Sequence, residues 1–248
     1  MLFDLQGPRK TFVKVIYLGL AILMAGGLVL FGIGSNVNGG LADIFGSSSS
    51  ADAAKDNVNK YAKQVQENPK NKEALQNLIA ARYTYAADAS NYNKTKNTFN
   101  KTGTAQLNQL KDDWNDYLKL TDNKPSVATS RFAVSGLQGL NDAKGAMQAQ
   151  QFIAAKEPTA SNYLALMFFA SYAGDQLVSS GAETKALELA SKDELKEVKA
   201  NIKEIKKTVA DRSAEIQKQI QQQFSSQAQQ GQTPTNPFGG AGTSTGTN

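Results

Sequence analysis

The sequence contains one block of twenty residues without a charge, VIYLGLAILMAGGLVLFGIG at positions 15–34. A helix rises about 1.5 Å per residue, so the block is long enough to cross the roughly 30 Å hydrocarbon layer of a bilayer. Glycine weakens a helix in water but is tolerated in lipid, where the backbone must bond to itself. We therefore predict one transmembrane helix over residues 15–34.

The charges beside this block predict its orientation. Arg9, Lys10 and Lys14 precede it, and no Lys or Arg follows until Lys55. Positive flanks stay on the cytoplasmic side of a membrane. We therefore expect residues 1–14 in the cytoplasm and the C-terminal domain on the extracytoplasmic side of the cell membrane, in a single-pass protein.

A cleaved signal peptide is the alternative for this block. Its apolar core is usually about 7–15 residues long, with a small-residue cleavage site close behind, whereas the nearest such site here, Ala51-Asp52-Ala53, lies well downstream. Residues 35–50 form a Gly/Ser linker, a body follows over 51–224, and the uncharged polar tail at 225–248 predicts disorder.

Within the body, apolar residues recur at helical spacing, and no run alternates with period two for long enough to predict a strand. Pro69 and Pro125 each follow such a stripe and block its continuation. We predict an all-α fold. The clearest stripes are Ala54, Val58, Tyr61, Ala62 and Val65; Ala74, Leu75, Leu78, Ile79 and Ala81; and Leu107, Leu110, Trp114, Tyr117 and Leu118.

The prolines also predict a repeat. Pro125 and Pro158 are 33 residues apart, and Pro69 and Pro125 are 56 apart, which is one period near 34 plus an insertion of about 22. The polar, Asn-rich segment 86–104 is the expected insertion loop. Helix pairs of this length are typical of an α-solenoid, here of about three pairs.

Two segments resemble junctions between tetratricopeptide (TPR) repeats: KYAKQVQENPKNKEALQNLIAARY at 60–83 and AMQAQQFIAAKEPTASNYLALMFFASYAGD at 146–175. The order of the opening Phe-Asp-Leu-x-Gly stretch, basic residues, Gly-rich span and Gly/Ser linker also resembles single-span TPR-like membrane proteins of actinobacterial type. The resemblance implies a scaffold that binds proteins or peptides, with an accessory or chaperone-like role at the secretion translocon.

In TPR proteins the first helix of each pair lines a concave groove, and the resemblance therefore implies a protein-binding groove lined by Asn77, Tyr83, Phe132, Phe169 and Tyr172. The alternative for each aromatic residue is packing inside the core. Asn77 is the residue of this set expected to face a polar environment, because it lies beside the Leu75/Leu78 stripe.

The composition argues against an enzyme and against cofactor or metal sites. The chain has no His and no Cys, which removes Ser-His-Asp and Cys-His catalysis and zinc sites of the Cys/His type. No phosphate-binding Gly motif is present. Asp112, Asp113 and Asp116 cluster on one predicted helix, but with Lys111 and Lys119 beside them a solvated face is the expected explanation.

Nucleic acid is not an expected partner. Beyond residue 50 the basic and acidic residues are interspersed, and no basic stripe of the kind that binds nucleic acid is evident.

The last predicted helix carries apolar residues at alternating spacings of three and four, interrupted by Arg212. A terminal solenoid helix with a polar outer face explains this spacing, and a dimeric coiled coil is the alternative. The alternative function is accordingly a structural or assembly factor of the cell envelope or division machinery that oligomerises through this helix; the sequence leaves the oligomeric state open. The stripe comprises Leu195, Val198, Ile202, Ile205, Val209 and Ile216.

Overall fold

The computed structural model describes residues 51–229. Over this range the chain forms eight helices and one short hairpin, so the prediction of an all-α fold is confirmed. The helices are α1 (Ala51–Glu67), α2 (Lys72–Ala86), α3 (Lys101–Leu120), α4 (Val127–Gly139), α5 (Ala143–Lys156), α6 (Ala160–Ala173), α7 (Gln176–Leu189) and α8 (Leu195–Gln229).

Several predicted segments lie outside the described residues: the N-terminus at 1–14, the transmembrane helix at 15–34 and the linker at 35–50. None of the eight described helices combines the length and the apolar character needed to cross a bilayer. At the other end α8 continues to Gln229, so it includes the first five residues of the predicted tail, and the rest of that tail is outside the described range.

Six consecutive helices, α2 to α7, begin in the same way: a polar side chain accepts a hydrogen bond from the backbone N–H three residues further on. Such a cap satisfies an amide that the helix itself cannot, and contributes about 1 kcal/mol. The predicted proline stops are also confirmed, because α1, α3 and α5 each end shortly before a proline. The capping residues are Asn71, Asn100, Ser126, Asp142, Thr159 and Asp175.

The insertion at 86–104 is more ordered than its composition indicates. It contains two antiparallel strands of two residues each, β1 (Tyr92–Asn93) and β2 (Thr98–Phe99), and its last four residues already belong to α3. The rings of Tyr92 and Phe99 lie 4.8 Å apart, and Asn97 takes the left-handed conformation (φ 52°) that closes the turn. Strands this short have no period-two pattern, which is why the sequence did not predict them.

Consecutive helices pack side by side with opposite directions. Between α2 and α3, the Gln76 amide Nε2 donates a hydrogen bond to the Tyr117 hydroxyl at 2.5 Å, and further along α2 the Arg82 guanidinium pairs with the Asp113 carboxylate on an earlier turn of α3. The same reversal joins α3 to α4, because Gly136 faces Leu110 and Gly139 faces Leu107; a Cβ on Gly136 would lie 2.8 Å from Leu110 Cδ2. A glycine at 136 therefore permits the close approach of these two helices.

The first half of α8 packs against α6 and α7. Val198, Ile202 and Ile205 are buried, so this half of the predicted stripe contributes to the core of the body. Further along the same helix face, Ile216 and Ile220 are 45% and 46% exposed. The apolar stripe thus continues beyond the part of α8 that the body covers.

Candidate protein-binding surface

All five residues of the predicted groove lie on alternate helices. Asn77 and Tyr83 are on α2, Phe132 is on α4, and Phe169 and Tyr172 are on α6. Each of these helices is the first to follow one of the three helix-stopping prolines. Two pairs of alternate helices also contact one another, α2 with α4 and α6 with α8, whereas α4 and α6 make no extensive contact.

Two side-chain contacts show how α2 and α4 are aligned. Gln76 Nε2 of the second turn of α2 donates to Ser126 Oγ at the start of α4 at 3.1 Å, and the ring of Tyr83, near the end of α2, lies 6.0 Å from that of Phe132, in the middle of α4. The two helices therefore run in the same direction. Burial raises the pKa of the Tyr83 hydroxyl, although its hydrogen bond to Ser135 of α4 opposes that rise.

The contact between α6 and α8 includes Tyr172. The Arg212 guanidinium lies over the Tyr172 ring at 4.7 Å from its centroid, which is the geometry of a cation–π interaction. On its own helix Tyr172 stacks with Phe168 at 4.7 Å. Burial raises the pKa of Tyr172 to about 12, even though the nearby Arg212 charge acts in the opposite direction.

Burial separates the four aromatic residues of the predicted groove into two groups. Phe132 and Phe169 are only 5% and 4% exposed and belong to the hydrophobic core, which is the alternative that the sequence left open for them. Tyr83 and Tyr172 are half-buried and keep part of their rings at the surface. The structure brings Tyr83 and Phe132 together across two helices, whereas Phe169 is linked to Tyr172 through Phe168, since its ring centroid lies 5.2 Å from that of Phe168.

Asn77 occupies a distinctive position on α2. The residue is 8% exposed, and its side chain forms no hydrogen bond within residues 51–229. No fully buried side-chain N or O atom in that range lacks a partner, so the Asn77 amide must retain contact with water. With Glu73 and Thr84, four residues before and seven after it, Asn77 forms a polar row along one face of α2.

One charged cluster was not predicted from the sequence. Arg82 of α2 reaches across to α3, where it pairs with Asp113 and donates to Gln106 Oε1 at 3.2 Å and to Gln109 Oε1 at 2.5 Å. Burial raises the pKa of the Asp113 carboxyl, although Arg82 beside it lowers it. Arg82 and Asp113 are 31 residues apart with a hairpin between them, so no local pattern could have indicated their contact.

Asp113 belongs to the group of three aspartates for which the sequence predicts a solvated face, and the other two members follow that prediction. Asp112 and Asp116 are exposed, and Asp116 accepts a hydrogen bond from Lys119 Nζ at 2.9 Å. Among the described residues no group of acidic side chains is arranged to hold a metal ion.

The statement that the body has no basic stripe is wrong for α8. Lys196, Lys199, Lys203 and Lys207 follow spacings of three, four and four, so they lie along one edge of this helix. All four are exposed. In the linear sequence they alternate with glutamates and appear mixed, but the helical period separates the two signs of charge.

The chain shows no match to any protein-family model, to any curated protein or to any solved structure.

Proposed function

We propose that this chain is a membrane-anchored scaffold whose extracytoplasmic domain is a TPR-like α-solenoid that binds proteins or peptides. The observation that carries the proposal is the pairing of alternate helices: α2 lies beside α4 with the same direction, and α6 lies beside α8. In a solenoid of helix pairs the alternate helices form a continuous inner surface. The polar row of Glu73, Asn77 and Thr84 lies on one of these helices and offers an amide still in contact with water.

The anchor can be tested with single cysteines, because the chain contains none. The two variants are Lys94→Cys, in the exposed turn of the hairpin, and Lys10→Cys in the basic N-terminus. A membrane-impermeant maleimide added to intact cells should label the first and should label the second only after lysis. Labelling of Lys10→Cys in intact cells, with Lys94→Cys protected, would show the opposite orientation, and release of the chain by carbonate washing would refute the span itself.

The binding surface can be tested with a photo-crosslinking residue at Thr84, on the polar row, and at Asp116, an exposed position on α3. Under the proposal, irradiation of intact cells yields extracytoplasmic partners from Thr84 that are absent from Asp116. Asn77→Ala should weaken the binding of such a partner about tenfold, because one buried hydrogen bond is lost. Asn108→Ala, on the exposed side of α3, is the matched control. Identical partners from the two positions would refute the surface.

The accessory role at the secretion translocon rests on the resemblance to single-span TPR-like proteins and on the predicted orientation. It requires translocon subunits, or chains in transit, among the partners crosslinked at Thr84. A set of partners confined to cytoplasmic proteins would exclude this role and the predicted orientation together.

A second candidate function is favoured by the exposed residues Ile216 and Ile220. An assembly factor that oligomerises through α8 would pair these residues across two copies, as in a coiled coil. Ile202 is buried in the body, so a charge there would disturb the fold before it tested any dimer. Ile216→Cys is the informative variant: a disulfide-linked dimer formed in membranes under mild oxidation supports assembly, and persistence of the monomer excludes it.

A further inference from the structure

The lysine stripe of α8, defined by Lys196, Lys199, Lys203 and Lys207, has no function in the fold. None of the four ammonium groups forms an ion pair with a described residue, whereas the neighbouring Lys206 does pair with Glu183 of α7, at 2.7 Å. The stripe is therefore a set of free charges about 16 Å long, from the eleven-residue separation of its ends.

The arrangement is unfavourable for the helix itself. Lys199 and Lys203 are i,i+4 neighbours, as are Lys203 and Lys207, and like charges at this spacing repel. The nearest acids on the helix are Glu204, three residues before Lys207, and Asp211, four residues after it, and neither forms an ion pair with Lys207. Neighbouring like charges that no acid pairs are more typical of a functional surface than of a helix selected only for stability.

The chemistry of the stripe indicates what it binds. Lysine presents a compact point charge on a flexible stem, whereas recognition of planar groups generally uses the arginine fork, and the stripe contains no arginine. It also contains no aromatic side chain for stacking on bases. Evenly spaced point charges along a straight edge match a plane of anionic phosphodiester headgroups, which attracts clusters of four or more lysines.

The linker places such a plane within reach. Residues 35–50 are sixteen residues rich in Gly, Ser and Asn, and a chain of this length and composition is expected to have a mean end-to-end distance of roughly 20 Å. If residues 15–34 are anchored in the bilayer, as proposed above, this short linker gives the body a high effective concentration at the lipid surface, and weak contacts then suffice.

We propose that the lysine stripe docks α8 on the anionic headgroups of the membrane that holds the chain. Docking would fix the orientation of the body relative to the bilayer. This inference rests on the proposed membrane anchor, and the experiment below separates the two.

The experiment uses the full chain with Ala200→Cys, an exposed position between Lys199 and Lys203, labelled with a fluorophore. The chain is reconstituted in vesicles of phosphatidylcholine alone or with phosphatidylglycerol, each carrying a lipid quencher on its headgroup. We expect about fivefold more quenching with phosphatidylglycerol. High salt should remove the difference, because it screens exposed charges.

Two variants with equal changes in net charge provide the control. In one the four stripe lysines become Gln; in the other Lys55, Lys94, Lys144 and Lys156 become Gln, which are exposed lysines scattered over four parts of the body. The first should lose the extra quenching and the second should keep it. Equal losses in both variants, or equal quenching in the two kinds of vesicle, would overturn the proposal.

Two further results are decisive. If polyglutamate raises the anisotropy of the fluorophore in phosphatidylcholine vesicles while phosphatidylglycerol adds no quenching, the stripe binds an acidic protein and the lipid assignment is overturned. Flotation with phosphatidylcholine vesicles tests the anchor alone. A chain that does not float refutes the anchor, and quenching by added phosphatidylglycerol vesicles then still decides whether the stripe binds headgroups.

Discussion

The close contact of α3 with α4 predicts that Gly136→Ala should destabilise the wild-type protein but stabilise a variant that already carries Leu110→Ala. In Gly136→Ala the new Cβ would lie 2.8 and 2.9 Å from the two Cδ atoms of Leu110, whereas carbon atoms prefer about 3.5–4.0 Å. Leu110 is fully buried, so it cannot move aside freely. Overpacking of this kind costs about 1–3 kcal/mol, and the better helix propensity of alanine offsets about 1 kcal/mol of it.

We therefore expect Gly136→Ala to lower the free energy of unfolding by about 1 kcal/mol in the wild-type chain. Leu110→Ala alone should cost about 2–5 kcal/mol, because it leaves a cavity. In that second background the methyl group at 136 fills part of the cavity without a clash. Gly136→Ala should then stabilise the protein by about 1 kcal/mol, a coupling of about 2 kcal/mol between the two positions.

Urea unfolding of the full chain in a mild detergent can measure all four variants. Trp114, the single tryptophan of the chain, is 3% exposed and one turn from Leu110, so its fluorescence reports on this contact directly. The reasoning is refuted if Gly136→Ala shifts the unfolding free energy equally in both backgrounds, or if it stabilises the wild-type chain.

Other contacts give three further predictions. Asp142 caps α5. Burial raises the pKa of its carboxyl, but the hydrogen bonds from Lys111 and the Gly145 amide outweigh this effect and lower the pKa below 3.8. The contribution of Asp142 to the free energy of unfolding is therefore complete above pH about 4 and is lost as the pH falls through the pKa of the folded state. Asp142→Asn should therefore show a smaller loss of stability on acidification, measured as a shallower dependence of the unfolding free energy on pH. Arg82→Ala should lower the free energy of unfolding by about 3 kcal/mol, because it leaves the Asp113 carboxylate unpaired. The double variant Arg82→Met, Asp113→Leu should recover most of this stability, measured by urea unfolding. Ile205→Ala should cost about 2–5 kcal/mol and should expose the first half of α8 to protease, whereas an unchanged digestion rate would contradict the packing of α8.

Local sequence patterns predicted the helices well because each signal lies within a few residues of the element that it defines. Apolar periodicity, the prolines and the polar capping residues are all of this kind. The hairpin escaped prediction because two-residue strands have no period, and the Arg82–Asp113 contact escaped because it depends on how α2 and α3 align across that hairpin.

The predicted groove shows a second limit of sequence-based prediction. Phe132 and Phe169 lie on the helices that the resemblance selects, but which face of a helix is open depends on all of its neighbours. Their rings point into the core, whereas Tyr83 and Tyr172 retain exposed surface. The lysine stripe was missed for a simpler reason, since its charges separate only when the sequence is placed on a helical period.

From α1 to α7, each helix packs on the next one along the chain, and this pattern has a mechanical consequence. Contacts between neighbours in sequence form quickly and do not wait for distant segments, so the stack can assemble as successive helices become available. The same order applies under force. If the domain is the solenoid proposed above, a pull on the end near Ala51 should detach α1 from α2 first, and the domain should then extend in small steps rather than in a single rupture.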